Sequence, residues 1–329
     1  NPYTVFSPYR NNHLKKLAHD GIPEYECEIY KENFAKFTDQ DILSLESMNF
    51  KRTDLKSLKI PTGTSGGKKL LIDFEKRMDH YKFLRDYPGK KGVSYLSVHN
   101  RFGTISIREQ ASIALKKNTE GATAWLNELI WRDFYFQILS NFPYVCEGKS
   151  FKAPCDQLQF ENNPDYFDAW KNGKTGFPII DAAMQQINQT GFMHNRLRMI
   201  VASFLVKDLL IDWRWGEEYF ANKLIDYDFA ANNGGWQWAA STGCDAQPWF
   251  RIFNPLLQSQ KFDPEGLFIK KYLPSLQKLS NKEIHCPSDF YTKNPDGFPI
   301  KLGVDYPHPI VNHAEQRKKA LKIYERALK

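Results

Sequence analysis

The sequence predicts a mainly α-helical fold, and three observations support that prediction. From about residue 106 onward, apolar residues recur every three or four positions, which is the period of an amphipathic helix. No stretch shows the alternation of strands and helices that strand–helix–strand units require, so a parallel sheet is not expected. No internal repeat or low-complexity tract occurs. The segments with helical spacing are 106–117, 122–141, 164–172, 178–190, 193–212, 215–225 and 228–240.

Composition divides the 329 residues into three parts. Residues 1–75 are expected to be lead-in helices broken by prolines, with a flexible connector at 61–67, and residues 76–275 the helical body. Residues 276–329 are expected to form an extended tail and a basic terminal helix, from about Glu315, packed on that body. The chain begins at Asn1 without an initiator methionine, so we expect a fragment or a processed form.

Composition also restricts the function classes. Aromatic residues make up 15% of the chain, which suits flat ligands but suits a tightly packed helical core equally well. The net charge of +7 is compatible with a polyanionic partner. Five cysteines without a CxxC pair argue against zinc sites and disulfide frameworks, so no metal is predicted and an intracellular location is expected. The most apolar run ends at Lys207 and Asp208, too early to cross a bilayer.

The first candidate site is one face of the helix predicted over 122–141. Helical geometry places Trp125, Glu128, Trp131, Arg132 and Tyr135 on that face. A carboxylate among three rings could form a platform for a flat ligand. An ordinary amphipathic helix with a Glu–Arg pair four residues apart explains the same spacing, so both interpretations stay open.

The second candidate site is the segment GFMHNRLRM at 191–199, which opens a helix. Asn195, Arg196 and Arg198 lie near the positively polarised start of that helix, where anionic groups such as phosphates bind readily. An exposed basic helix start explains the same residues, and Met199 alone would ordinarily be a core residue.

The third candidate site is the segment DYDFAANNGGWQW at 226–238. Two acids precede two amides and two glycines, and glycine lets the backbone approach a ligand closely. Asp226 could pair with Arg198, and a buried pair of this kind is rarely kept for stability alone. The alternative is a helix cap at Asp228 followed by core tryptophans.

Other familiar motifs are absent. Neither 63–68 nor 173–175 has the leading glycine of a phosphate-binding loop, and neither HExxH nor GxSxG occurs. Hydrolytic chemistry therefore has little support.

Taken in order, five segments resemble the photolyase/cryptochrome family: WLNELIWRDFY, GKTGFPIIDAAM, TGFMHNRLRMIVASFLVKDLLIDW, DYDFAANNGGWQWAASTG and FRIFNP. The similarity is colinear over most of residues 75–275, and VFSPYRNNHLKKL near the start looks like the segment that follows that family's first domain. The chain most resembles class I photolyases of cyclobutane pyrimidine dimers (CPD). The resemblance implies the family's helical FAD-binding domain without the N-terminal Rossmann-like α/β domain.

The resemblance implies that FAD lies folded inside the helical bundle. Arg198 and Asp226 would form a pair beside the flavin, and Asn232 would face its N5 atom. The other positions that match cofactor-binding residues are Tyr81, Val93, Ser94, Tyr95, Leu96, Ser97, Trp125, Arg132, Asn195, Tyr227 and Asp228.

The implied reaction is light-driven repair, in which excited reduced FAD lends an electron to the dimer, the cyclobutane ring splits, and the electron returns. The catalytic residues would be Glu128, which hydrogen-bonds the dimer, Asn232 at the flavin, and Trp131 and Met199, which pack against the flipped lesion. The expected partner is UV-damaged DNA. The protein itself is expected to be a cytoplasmic monomer, nucleoid-associated when bound to DNA and without membrane contact. The DNA contacts implied are Arg85, Glu128, Trp131, Tyr135, Asn195, Arg196 and Gln258.

Two positions favour the CPD class. Photolyases of (6-4) lesions carry histidines where Asn195 and Met199 stand, and DASH-type relatives usually lack the residues matched by Trp131 and Met199. A cryptochrome-like photoreceptor without repair activity is the main alternative. A fragment that no longer holds FAD is a further one.

Two groups of positions depart from the family pattern. Photoreduction in the family runs along three tryptophans; Trp236 and Trp213 match the first two, but Phe160 stands at the third, where Tyr166, Trp170 or Trp215 could substitute. The cofactor loop has Val93 and Tyr95 where the family commonly has Thr and often Arg. Because the α/β domain is missing and Glu147 replaces a basic residue, no antenna chromophore is expected in this form.

Overall fold

The computed structural model describes residues 2–23, 25, 27–35, 43–44, 46–50 and 60–328. These residues contain no β-sheet, and Leu302 and Tyr306 form an isolated bridge. The mainly α-helical prediction is confirmed. Short 3-10 helices lie at Cys27–Asn33, Met78–His80, Pro143–Glu147, Ala153–Gln157, Pro274–Leu276 and Glu283–His285. The α-helices are α1 (Phe6–Asp20), α2 (Gly63–Glu75), α3 (Tyr81–Leu84), α4 (Ser97–Phe102), α5 (Ile107–Lys117), α6 (Glu120–Asn141), α7 (Pro164–Lys171), α8 (Pro178–Thr190), α9 (Asn195–Lys207), α10 (Trp213–Lys223), α11 (Phe229–Ala240), α12 (Pro255–Phe262), α13 (Leu267–Tyr272), α14 (Pro287–Tyr291) and α15 (His313–Leu328).

Two groups of buried apolar side chains form the core. The larger group surrounds α9 and contains the fully buried rings of Trp170 and Trp213. The smaller group lies between α1, α2 and α6 and contains Phe74 and Phe134. Helices α6 and α9 both pack against α11, so α11 joins the two halves of the bundle.

Side-chain caps fix the starts of the three helices that carry most candidate residues. The Thr119 hydroxyl accepts from the Ala122 amide at the start of α6 (3.3 Å), and Asp228 accepts from Ala231 at the start of α11 (3.0 Å). At the start of α9, Nδ1 of His194 accepts from the Arg196 amide (3.2 Å). Such caps satisfy backbone N–H groups that the first helical turn leaves without partners.

The lead-in contains a helix that packs into the body. Phe6 of α1 belongs to the smaller core group, and the Tyr9 hydroxyl donates to Asp133 of α6 (2.7 Å). Residues 63–67, predicted as a flexible connector, instead begin α2. Gly66 is needed there because an added Cβ would lie 2.5 Å from the Pro61 carbonyl carbon.

The C-terminal part also contributes to the core. Ile284, Ile300 and Leu302 are buried, so the segment predicted as an extended tail supplies apolar contacts as well as surface. Tyr324 of α15 is buried and donates its hydroxyl to the Ala240 carbonyl at the end of α11 (2.5 Å). Among the residues that the structure describes, no helix combines the length and the apolar character that spanning a membrane requires.

Candidate functional site

A pocket lies between α9 and α11. Met199 and Asn232, predicted from separate motifs, both line it. Gly235 of α11 has open space where a Cβ would stand, so a flat group can lie against the helix there. Two segments 33 positions apart thus form one cavity. Its remaining lining residues are Asn195, Arg198, Ala202, Phe220, Ala231 and Trp236.

The predicted ion pair is present beside this pocket. Nη2 of Arg198 donates to both carboxylate oxygens of Asp226, at 2.8 and 3.0 Å. The Asp226 side chain is only 2% exposed, whereas that of Arg198 is 26% exposed. Nε of Arg198 donates to the Met193 carbonyl (2.8 Å), which fixes the plane of the guanidinium group. A pair held this rigidly at a cavity wall presents a fixed charge pattern to a ligand.

Asn232 is oriented by a residue that the sequence did not reveal. Its Nδ2 donates to the backbone carbonyl of Glu217 in α10 (3.0 Å). The Glu217 carboxylate accepts a hydrogen bond from the side-chain amide of Asn233, the residue after Asn232 (3.0 Å). Burial raises the pKa of Glu217, and this hydrogen bond opposes the shift. Because the Glu217 carbonyl can only accept a hydrogen bond, Asn232 must turn its NH2 group toward it. The orientation of the Asn232 amide is therefore defined, and its Oδ1 is left as an acceptor. No motif marks Glu217, since its role depends on how α10 packs on α11.

The cofactor loop predicted at 93–97 meets the predicted segment 226–228 through a residue that the sequence also did not reveal. Nε of Arg101, in α4, donates to the Tyr227 carbonyl. Asp228 caps α11, which agrees with the alternative interpretation of that motif. The loop and the segment after α10 are therefore held together on the same side of the bundle.

A second cavity lies beside this loop. Tyr95 and Ser97 line it together with Phe192 and His194. Burial lowers the pKa of His194 to about 4, so the ring is neutral at physiological pH. Since Nδ1 accepts a backbone bond, the proton is on Nε2, a buried donor with no partner among the described residues. An acceptor-rich ligand such as a nucleotide would satisfy this donor.

The other predicted cofactor residues lie in or near the smaller core group. Tyr81 and Trp125 are buried against the Phe74 ring, at centroid distances of 5.6 and 4.9 Å. Arg132 is half-buried and donates to the Asn100 carbonyl in α4 (3.5 Å). The structure does not bring these three side chains into the lining of either cavity. The three remaining residues form the loop itself: Val93 and Ser94 are half-buried, and Leu96 is fully buried.

The predicted DNA-contacting arginines are both paired with acids. Nη1 of Arg85 donates to Glu128 (2.6 Å), and Arg196 donates through Nε and Nη2 to Asp86, at 3.2 and 2.9 Å. Burial would lower the pKa of Arg85, but the neighbouring Glu128, Tyr81 and Asp86 together outweigh it and leave that pKa raised. Arg85 and Asp86 therefore join α6 to α9. Asp86 was not predicted, because its role appears only when the helices are assembled.

The remaining predicted DNA contacts differ in exposure. Arg196 stacks over the Phe262 ring of α12 (4.4 Å to the centroid), and Gln258, on the same helix, is half-buried. Tyr135 instead packs under α11, where a Cβ on Gly234 would lie 2.2 Å from its ring. Trp131 is half-buried but does not line the pocket that contains Met199. The expected joint pocket of Trp131 and Met199 is thus only partly formed.

The ring of Trp236, the first member of the predicted electron-transfer chain, contacts two other aromatic rings. Trp236 contacts Trp170 (centroids 6.1 Å apart) and Phe220 (5.0 Å), and no ring contact with Trp213 occurs within the described part of the chain. Phe160 is half-buried and packs against the larger core group. Trp170, one of the substitutes left open from the sequence, is the tryptophan in ring contact with Trp236.

The helical bundle, with a pocket between α9 and α11, has the arrangement expected of a helical flavin-binding domain. A family profile described as the FAD binding domain of DNA photolyase matches residues 125–326. The deoxyribodipyrimidine photo-lyase of Escherichia coli strain K12 is 43% identical over an alignment 333 positions long, which covers 99% of this chain and 68% of that protein. The chain therefore belongs to the DNA photolyase family.

Solved structures share the fold. A bacterial class III photolyase from Agrobacterium tumefaciens superposes with a TM-score of 0.85 at 35% identity, covering 100% of this chain and 69% of that one. A cryptochrome from Synechocystis sp. PCC6803 superposes with a TM-score of 0.71 at 33% identity, covering 79% and 56%. The predicted family, helical FAD-binding fold, photo-lyase class and FAD cofactor are confirmed by these matches.

Proposed function

We propose that this chain repairs cyclobutane pyrimidine dimers in DNA under light, using FAD held between α9 and α11. The observation that carries the proposal is the shared cavity of Met199 and Asn232, next to the Arg198–Asp226 pair. Neither Asn195 nor Met199 is a histidine, which favours the cyclobutane class over (6-4) lesions. Residues 76–275 would be the catalytic domain.

The residues present fit the cofactor. The open space over Gly235 accommodates a flat ring, the unpartnered Nε2 of His194 provides a donor beside the loop, and the Arg198–Asp226 pair provides fixed charge. When bound, FAD absorbs the light and supplies the electron. The carbonyl of Glu217 holds the Asn232 amide so that Oδ1 of Asn232 could accept a hydrogen bond from a protonated ring nitrogen of the cofactor. An amide does this without becoming charged, which suits a stable reduced cofactor.

We assign the DNA-facing role to the rim formed by Arg85, Glu128 and Arg196. Each arginine is already oriented by an acid, so the rim is organised before DNA binds. Glu128 is 30% exposed, so its carboxyl group could keep Arg85 oriented toward the lesion while one oxygen accepts a hydrogen bond from a ring N–H of the dimer. Trp131 and Met199 would contact the extruded dimer, because bases must leave the helix to reach a buried cofactor. The protein would act as a monomer that is associated with the nucleoid when it is bound to DNA.

Illumination of the purified protein with a dimer-containing oligonucleotide tests this function. We expect loss of the dimer in the light and none in a matched dark reaction. Flavin photochemistry without dimer loss would favour the photoreceptor function, whose fold is the same. Freshly purified protein without flavin absorbance would instead indicate a fragment that no longer holds the cofactor.

A further inference from the structure

The first helix places an aromatic ring directly on a residue of the proposed lesion site. The rings of Phe6 and Trp131 are stacked, with centroids 3.6 Å apart and planes 8° from parallel. Phe6 is 6% exposed, whereas Trp131 is half-buried. The exposed part of the Trp131 ring therefore lies away from the face that Phe6 covers.

The other rings around Trp131 do not determine its plane in this way. Phe134 meets it edge-on, at 85° and 5.5 Å, and Tyr135 is tilted by 33° at 5.5 Å. A near-parallel neighbour in van der Waals contact resists rotation of an indole about its side-chain bonds more than an edge contact does. Phe6 is the neighbour that sets the orientation of the ring.

Phe6 is itself held at several points. Its backbone amide donates to the Asp245 carboxylate in the loop after α11 (3.1 Å). On the same helix the Tyr9 hydroxyl donates to Asp133 (2.7 Å), and Gln137 of α6 donates to the Tyr3 carbonyl (2.7 Å). The seam between α1 and α6 thus carries its own hydrogen bonds, independent of the ring stack.

From this arrangement we propose that Phe6 is a positioning residue for lesion recognition. By covering one face of Trp131, it fixes the other face as a preorganised surface on which an extruded pyrimidine dimer packs. Preorganisation lowers the entropy lost on binding. Because Trp131 would contact the damaged base and not the DNA backbone, the affinity should rise for damaged DNA only. The proposal rests on the proposed function, and in particular on Trp131 contacting the lesion.

The test compares affinities for a dimer-containing and an undamaged single-stranded oligonucleotide in the dark. Phe6→Leu keeps an apolar side chain of similar size but removes the flat ring, and Phe6→Tyr keeps the ring. Tyr9→Phe is the matched control, because it removes a hydrogen bond of the same seam without touching Trp131. Fluorescence anisotropy gives the affinities, and thermal unfolding and flavin absorbance check that each variant is folded.

We expect Phe6→Leu to lose about three- to tenfold of the affinity for the dimer strand, with unchanged affinity for undamaged DNA. Phe6→Tyr and Tyr9→Phe should keep the wild-type preference. Wild-type preference in Phe6→Leu, tighter dimer binding in that variant, or an equal loss in Tyr9→Phe would overturn the proposal. If Phe6→Leu does not fold, a lost preference in folded Phe6→Tyr would overturn it in the same way. Absence of any preference in the wild-type protein would be a failure of the proposed function, and the positioning role would fail with it.

Discussion

Helix α9 begins and ends with buried or half-buried cations, and the two are satisfied differently. Near its start, Arg198 pairs with the Asp226 carboxylate beside the proposed cofactor pocket. At its end, Lys207 is fully buried and donates to neutral oxygens, namely the Ser241 hydroxyl and the Arg251 carbonyl, both at 2.9 Å. Burial lowers the pKa of Lys207 to about 7.

This difference in partners distinguishes a cation at a ligand site from a cation with a structural role. A cation paired with an anion keeps its charge at a cavity wall, where it can act on a ligand. A cation surrounded by neutral acceptors is only partly charged near neutral pH and serves to tie segments together. Lys207 does so through its bonds to Ser241 and Arg251, and the adjacent Asp208 is hydrogen-bonded to His313 at the start of α15 (2.5 Å). The functional charge and the structural charge thus lie at opposite ends of one helix.

The largest effect is expected from Arg198→Met. The change leaves the Asp226 carboxylate buried without its partner, so the free energy of unfolding should fall by about 3–5 kcal/mol and FAD should be lost. Urea unfolding and flavin absorbance measure the two effects. Lys82→Met is the control, because Lys82 and Glu120 are 51% and 69% exposed and such pairs contribute about 1 kcal/mol or less. A fully folded Arg198→Met that retains FAD would show that the pair is dispensable.

Glu128→Ala should reduce the rate of dimer repair by about a hundredfold, the usual cost of removing one transition-state hydrogen bond. FAD should stay bound, because Glu128 contacts Arg85 at the rim and not the Arg198–Asp226 pair. Repair rate and flavin content are measured on the same preparation. Glu120→Ala, on the same helix, should repair at the wild-type rate. Undiminished repair in Glu128→Ala would remove this residue from the proposed mechanism.

The start of α9 was predictable from the sequence, and its end was not. Asn195, Arg198 and Met199 form a dense polar cluster at a helix start, and helical geometry alone places them on adjacent faces. In the sequence, Lys207 and Asp208 end an apolar run, and exposed charged residues occur at the same kind of position. Their burial depends on contacts with α15, which lies more than a hundred positions further along the chain.

The same reason explains which site residues were missed. Glu217, Asp86 and Arg101 act through backbone or side-chain bonds to other helices. Such contacts are set by packing, which no local pattern encodes. Helix spacing and the family resemblance gave the fold class and most pocket residues. Phe6, part of a segment expected to be lead-in, became notable only through the ring that it covers.

Lys207→Met should change how stability depends on pH. In the unfolded chain the lysine titrates near 10.5, and in the folded chain near 7. Between these values the unfolded chain binds the additional proton, so wild-type stability should rise with pH, by about 2 kcal/mol between pH 7 and 9 from this group. The comparison uses urea unfolding at both pH values. Subtracting the Lys207→Met curve isolates the contribution, because all other titrating groups are shared; identical slopes would show that Lys207 keeps its ordinary pKa.

The smallest expected effect concerns the middle of α9, where the indole nitrogen of Trp170 donates to the Val201 carbonyl (3.2 Å). Trp170 lies in ring contact with both Trp236 and Tyr219, with centroids 6.1 and 5.6 Å apart. Trp170→Phe should therefore slow photoreduction of oxidised flavin severalfold, because a phenyl ring is much harder to oxidise than an indole. Phe160→Trp should leave the rate unchanged if Trp170 already serves as the exit, and should raise it if the usual chain through Trp213 carries the electron. Absorbance of the flavin under blue light with an external thiol measures both.

Trp215→Phe is the matched control for this route, because Trp215 touches Phe167 and not Trp236. If the electron leaves through Trp170, Trp215→Phe should have a smaller effect than Trp170→Phe. Unchanged photoreduction in Trp170→Phe, together with a strong effect of Trp213→Phe, would instead assign the exit to the family's usual second position. In that case ring contact would be a poor guide to the route, and the distance from Trp213 to the surface past Phe160 would control the rate.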